Sequence, residues 1–185
     1  MRKIAAHYWL RPDASVGRFP IVTFDDRGRI IEIRERDYFK EEPSLELVNG
    51  FLVPGFVDIC NVDTLSLNNS LIKKILSTYL INGVKLLGVS QSQFGMINEC
   101  SPKQLNIVST YMNGDRDYNT FSKIKAANDA IEALRCFTSE NAQLLNVQET
   151  FGSLEVGKSP GLLSIQGMDY TNFQLSDKSK LKIVL

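Results

Sequence analysis

The hydrophobic period of this chain changes near residue 56 and changes back near residue 149, and that double switch limits what it can fold into. Before the switch the signals are those of strands. KIAAHYWL and IVTFDD are strand-like, and GRIIEIRE alternates so that Ile31 and Ile33 share one face while Glu32 and Arg34 share the other. Arg11-Pro12-Asp13, Asp25-Asp26-Arg27-Gly28 and Glu42-Pro43-Ser44 mark the turns between them. The single histidine, His7, falls in the first strand between Ala6 and Tyr8 and reads as a strand residue.

Over residues 56–148 the period lengthens. FVDIC fits a short buried strand. SLNNSLIKKILSTYLINGV places Leu67, Leu71, Ile75, Leu76, Tyr79 and Leu80 at helical spacing, with Gly83 as its stop, and VKLLGVS follows as a strand. The result is a β–α–β unit with parallel pairing. Ser101-Pro102 predicts a helix over SPKQLNIVSTYM, with Ser101 as N-cap and Pro102 at its first position. FSKIKAANDAIEALRCF is the longest helical pattern, its stripe formed by Phe121, Ile124, Ala127, Ile131 and Leu134, and Thr138 caps a short helix after it. Ser139 to Asn141 at that helix start read as capping residues. After residue 149, LLSIQ and LKIVL return to strand character. This order predicts a composite β domain from residues 1–55 and 149–185, with an α/β region inserted over 56–148.

Charge and cysteine usage exclude several classes. Lys+Arg and Asp+Glu both number 21 and no basic stripe occurs, so no nucleic-acid partner is expected. No apolar run of about 18 residues exists to span a bilayer, and MRKIAAHYWLRPD reads as a first strand and not as a signal peptide. Cys60, Cys100 and Cys136 are odd in number and form no CxxC pair, which argues against a disulfide framework or zinc knuckle and for a cytoplasmic protein. Gly152, Gly157, Lys158 and Gly161 lack the spacing and the following helix of a phosphate loop, and read as a turn.

Two stretches carry a family signature. LVPGFVDICNVD resembles the segment in which metal-dependent amidohydrolases enter their first barrel strand, where PGFVD is followed by His-x-His. FTSENAQLLNVQETFGSLEVGKSPGLLSIQ resembles the closing segment of that superfamily, and the match is similar to its deaminase and chlorohydrolase branch, including aminodeoxyfutalosine deaminase. The resemblance implies a β domain joined to a (β/α)8 barrel, and in the family a zinc or iron ion. Aligning PGFVD puts the two histidine ligands on Cys60 and Val62. Valine has no donor atom, and a lone thiolate is not a site, because catalytic zinc takes three protein ligands and an open position. The family's other ligands come from later strands. Between Phe56 and Thr138 there are about 80 residues, room for two or three β/α units at roughly 30 each, whereas a closed barrel takes about 250.

The expected fold is therefore mixed α/β: an amidohydrolase-type composite β sandwich with a reduced remnant of the barrel that does not close. The expected function is an amidohydrolase-like protein that has lost its metal site, non-enzymatic, with a structural, regulatory or ligand-binding role and no cofactor. Asp58, Cys60 and Asp63 are what remains of the site. Asp58, Asp63, Asn68 and Gln91, together with Asn69, Ser92 and Gln93, are candidate polar ligand positions near the strand ends. The alternative is a metal-dependent hydrolase or deaminase of non-peptide C–N bonds, its metal held by Asp58, Cys60, Asp63 and groups from another subunit. Strand edges around 56–60 and 84–89 predict self-association as a homodimer, with a full-length amidohydrolase relative as a further partner.

Overall fold

Strand-forming residues assemble into three sheets in a computed structural model that describes residues 1–38, 42–61, 68–112, 114 and 116–185. The first sheet has the order β5-β4-β1-β6 and contains β1 (Arg2–Ala5), β4 (Pro20–Phe24), β5 (Ile30–Glu35) and β6 (Leu45–Leu47). The second, β12-β11-β7-β2-β3, draws on both ends of the chain. Its strands are β2 (Tyr8–Leu10), β3 (Val16–Arg18), β7 (Phe51–Pro54), β11 (Leu162–Gln166) and β12 (Lys180–Ile183), and β11 pairs antiparallel with β7. The third is all-parallel in the order β10-β9-β8, from β8 (Phe56–Ile59), β9 (Val84–Ser90) and β10 (Asn106–Thr110).

The central strands of the second sheet, β7 and β11, are buried on both faces. Trp9, Leu52 and Leu162 pack against Ile4, Val22, Phe24 and Ile30 of the first sheet. Their strand neighbours Phe51, Val53, Leu163 and Ile165 point the other way, into a larger core shared with the third sheet and the helices. Alternation therefore sends successive side chains into two cores, which is why every residue of β7 is buried and apolar.

In the first sheet the pairing slips at one point. Thr23 faces Glu32, but Phe24 faces Ile30, leaving Ile31 as the extra residue of a bulge. Ile30 is buried and Ile31 is 44% exposed, so the predicted sharing of one face by Ile31 and Ile33 does not hold. His7 is not in a strand either. It occupies the exposed bend between β1 and β2, its ring edge-on to Phe19 at 6.0 Å between centroids.

Helix α1 (Asn69–Ile81) begins at Asn68, whose side chain accepts from Leu71 N–H at 2.9 Å, and ends before Gly83 at φ +84°. Its buried stripe is Ile72, Ile75, Leu76 and Tyr79. The expected Leu71 lies one residue round from that stripe and is exposed, and Leu67 lies outside the described residues.

The helix expected over SPKQLNIVSTYM is instead a turn followed by β10. Ser101 closes a different helix, α2 (Gln91–Cys100), and its hydroxyl donates to Leu105 C=O at 3.0 Å. With α2 supplying the crossover, β-branched Ile107, Val108 and Thr110 pair with β9.

The long helical pattern also breaks. Ala127 is extended and Asp129 accepts from Ile131 and Glu132 N–H, so α3 (Thr120–Ala126) and α4 (Ala130–Arg135) are separate helices. From α4 the chain runs on through one π turn (Cys136–Glu140) into α5 (Asn141–Leu144). Thr138 and Ser139 to Asn141 are thus inside a continuous helical run and cap nothing. The Thr138 hydroxyl donates back to Leu134 C=O at 2.6 Å.

Two glycines separate conformational need from mere presence. Gly50 sits at φ +120°, and a Cβ there would stand 2.6 Å from Ile165 O. Gly50→Ala is expected to cost roughly 2 kcal/mol or more by urea unfolding. In α2, a Cβ on Gly95 meets nothing within 4 Å, so Gly95→Ala is expected to add about 0.5–1 kcal/mol.

Candidate functional site

Strand β8 carries the residues that the family signature singles out. Val57 faces Leu86 and Ala142 on one side of the sheet, and Asp58 and Cys60 belong to the other. Asp58 is 2% exposed. Its Oδ2 accepts from the Thr120 hydroxyl at 2.6 Å and from Lys123 Nζ at 2.9 Å, and its Oδ1 accepts from Ile59 N–H at 2.8 Å. Lys123 also lies 4.9 Å from the centre of the Phe137 ring. Burial pushes the Asp58 carboxyl above its ordinary range, against the opposing pull of Lys123, Thr120 and Ile59 N–H.

The outer edge of β8 is closed by a side chain. Asn141, buried on α5, donates its Nδ2 to Val57 C=O at 2.8 Å. A strand carbonyl with no strand beside it thus keeps a hydrogen bond.

Cys60 is 1% exposed, and its N–H donates to Gly88 C=O at 2.9 Å. It sits in the large core that includes Ile72, Leu87, Ile97 and Phe121, so the face bearing Asp58 and Cys60 is covered by α1, α2 and α3. Gly114 lies on the end of the strand. A Cβ there would come within 2.1 Å of Ile59 O and 2.4 Å of Cys60 N, so only glycine fits against the Ile59–Cys60 peptide.

Val62 and Asp63 lie outside the described residues. Asn68 is engaged in capping α1, Gln91 is exposed on the first turn of α2, and among the described residues no hydrogen bond joins Asp58, Asn68 and Gln91 to one another. Nearby, Gln93 Nε2 donates to Asn61 Oδ1 at 3.2 Å and the Ser90 and Ser92 hydroxyls are 3.1 Å apart.

Asp58 is held by a lysine and a threonine, and Cys60 is enclosed. Among the described residues no group of three or more His, Cys, Asp or Glu side chains is placed to hold a metal ion. Burial, and then Glu140, push the Cys136 thiol above its usual value.

Nothing in the sequence marks Thr120 or Lys123, and Asn141 reads there only as a capping residue. Lys123 and Asp58 are 65 residues apart, and neither carries a local signal of the other.

Removing Lys123 would leave a buried carboxylate without its cation. Lys123→Met is expected to cost about 3 kcal/mol at neutral pH, with Asp58→Asn on the same background recovering part of it. A carboxyl whose folded pKa is raised adds stability below its unfolded pKa and loses it as pH rises through the folded value. Loss of the lysine raises that value further, so the Lys123→Met penalty should shrink as pH falls towards the carboxylate range, read by urea unfolding across a pH series.

No family model matches the chain, and no curated protein matches it. Solved structures do. An adenosine deaminase from Xanthomonas campestris with bound zinc superposes with a TM-score of 0.60 at 11% identity, covering 89% of this chain and 84% of that one. An A. niger ochratoxinase matches at 14% identity and TM-score 0.46, and a prolidase-type structure from Bifidobacterium longum at 12% and 0.42, with this chain covering only 30% of each. These two likenesses are too partial to carry an argument, and the first, at its low identity, shows the fold alone. Among the described residues the parallel sheet has three strands and does not close into a ring. The chain has an amidohydrolase-like fold with an unclosed barrel.

Proposed function

We propose that this chain is an amidohydrolase-like protein that works without the family's catalytic metal, as a self-associating structural or ligand-binding subunit. One observation carries the reading: Asp58 is already satisfied by Lys123 and Thr120 on a strand face filled by core side chains. A site completed across subunits would require Asp58 to give up its ion pair with Lys123 and its hydrogen bond from Thr120.

The sheet edges support self-association. β5 carries Glu32, Arg34 and Glu35, β6 carries Glu46, β12 carries Lys180 and Lys182, and β3 carries Arg18. The β8 edge has Asn141. Among the described residues, β10 (Asn-Ile-Val-Ser-Thr) is the sheet edge that carries no charge to discourage pairing. Ile107 and Val108 are only partly buried on it, and Tyr111 just beyond is 95% exposed. Two copies meeting about a two-fold axis would pair β10 with its own image and cover these residues. The same edge is where an amidohydrolase relative would dock. We place the protein in the cytoplasm, consistent with free thiols at Cys60, Cys100 and Cys136. No helix among the described residues is long and apolar enough to cross a membrane.

Two measurements test the reading. Light scattering at micromolar concentration should give twice the chain mass of 20.8 kDa, and Val108→Lys should halve it. A wild-type monomer would remove the self-association. Metal analysis of protein purified without chelator should find well under one ion per chain. Stoichiometric zinc, iron or manganese that is lost in Cys60→Ala would overturn the non-catalytic reading.

A further inference from the structure

A second place in the molecule has the composition of a ligand site, at the opposite ends of the parallel strands from Cys60. Phe56 pairs with Val84 and Val57 with Leu86, so Lys85 is the extra residue of a bulge in β9. A bulge re-aims the side chain it carries. The Lys85 stem runs between two glycines. A Cβ on Gly55 would stand 2.3 Å from Lys85 Cγ, and one on Gly161 would stand 2.6 Å from Lys85 Cε. Its main-chain carbonyl, displaced by the bulge, accepts from Asn106 Nδ2 at 3.0 Å.

The backbone and both glycines thus accommodate this lysine, yet its ammonium makes no hydrogen bond or ion pair among the described residues. Half-burial alone lowers its pKa, with no carboxylate to raise it.

Lys85 lines a groove of about 340 Å³ whose other polar side chains are Arg27, Gln104, Asn106, Thr150 and Ser159. Two are cations, four are neutral hydrogen-bonding groups, and no acidic side chain lines it. Of the carboxylates nearest in sequence to Arg27, Asp25 accepts from Arg27 and Arg29 N–H at 2.9 Å and also feels the charges of both arginines, and Asp26 pairs with the Met1 amino group. The main-chain oxygen of Leu185, at the groove margin, accepts from Leu162 N–H at 3.2 Å. Lys158, the lysine of the glycine-punctuated segment, is committed to Glu155 and Ser153.

We propose that this groove binds a phosphate-type oxyanion, with Lys85 as its charged anchor, Arg27 as the second cation, and the Thr150 and Ser159 hydroxyls as neutral donors. The chemistry favours an anion because an unpaired cation held at a polar groove gains both a counter-charge and charge-assisted hydrogen bonds from one. The anion is either free phosphate or the phosphate of a monoester.

Calorimetric titration of the full chain with inorganic phosphate and with glycerol phosphate tests this, against sodium chloride at matched ionic strength. Phosphate should bind and raise the melting temperature beyond the chloride control. Lys85→Met, which keeps the stem, should weaken binding by about tenfold or more. Arg27→Gln, on an exposed turn, should weaken it several-fold and guards against Lys85→Met failing to fold. Lys182→Met on β12 should leave affinity unchanged. Tighter binding of glycerol phosphate would assign a phosphorylated small molecule, and equal binding the free anion. No effect beyond chloride, unchanged affinity in Arg27→Gln, or equal loss in Lys182→Met would overturn the proposal.

Discussion

A carboxylate removed from water needs a cation and hydrogen bonds beside it, and the centre of this molecule is arranged around meeting that need for Asp58. Lys123 and Thr120 reach it from α3, and Ile59 N–H reaches it from its own strand. These contacts tie α3 to β8. Asn141, from the helical run that follows, closes the same strand's edge through Val57 C=O. Breaking either leaves a buried polar group without a partner, which is more costly than the net gain from forming the bond. Asp58 is thus part of the contacts that hold the parallel sheet and its helices together.

That arrangement makes the parallel sheet asymmetric. On its β8 side a helix and an amide side chain replace the neighbouring strand. On its β10 side nothing among the described residues pairs with the edge, and the strand carries no charge. A closed barrel has no edges to protect. Three strands leave two, and here one is sealed within the chain while the other is left open. The second sheet supports this arrangement through its central strands, which are buried on both faces, so that the sandwich core and the larger α/β core share them.

The bulge at Lys85 shows how one extra residue changes what a strand presents. In a regular ladder Lys85 would alternate with Val84 and Leu86 into one of the sheet's faces. The slip between Phe56 and Val57 frees it from that alternation, and Gly55 and Gly161 leave space for its stem. Ile31 in β5 leaves its ladder by the same kind of slip and becomes solvent-exposed. Neither bulge has a mark in its own segment, since each is defined by the partner strand.

The sequence by itself determined the features that rest on local chemistry: strand character at both ends, the helix entered at Asn68 and left at Gly83, and the β–α–β order. Periodicity and capping residues are properties of a few adjacent residues. Only the tertiary structure decided the rest. Residues 106–110 became a strand because β9 offered a ladder that their β-branched side chains fit, although Ser101-Pro102 is a sound helix start in isolation. Lys123 became the partner of Asp58, and Lys85 a cation with no ion pair among the described residues, through neighbours far away in the chain. Electrostatic pairing and sheet register depend on which segments meet, and that is settled by burying apolar surface over the whole molecule.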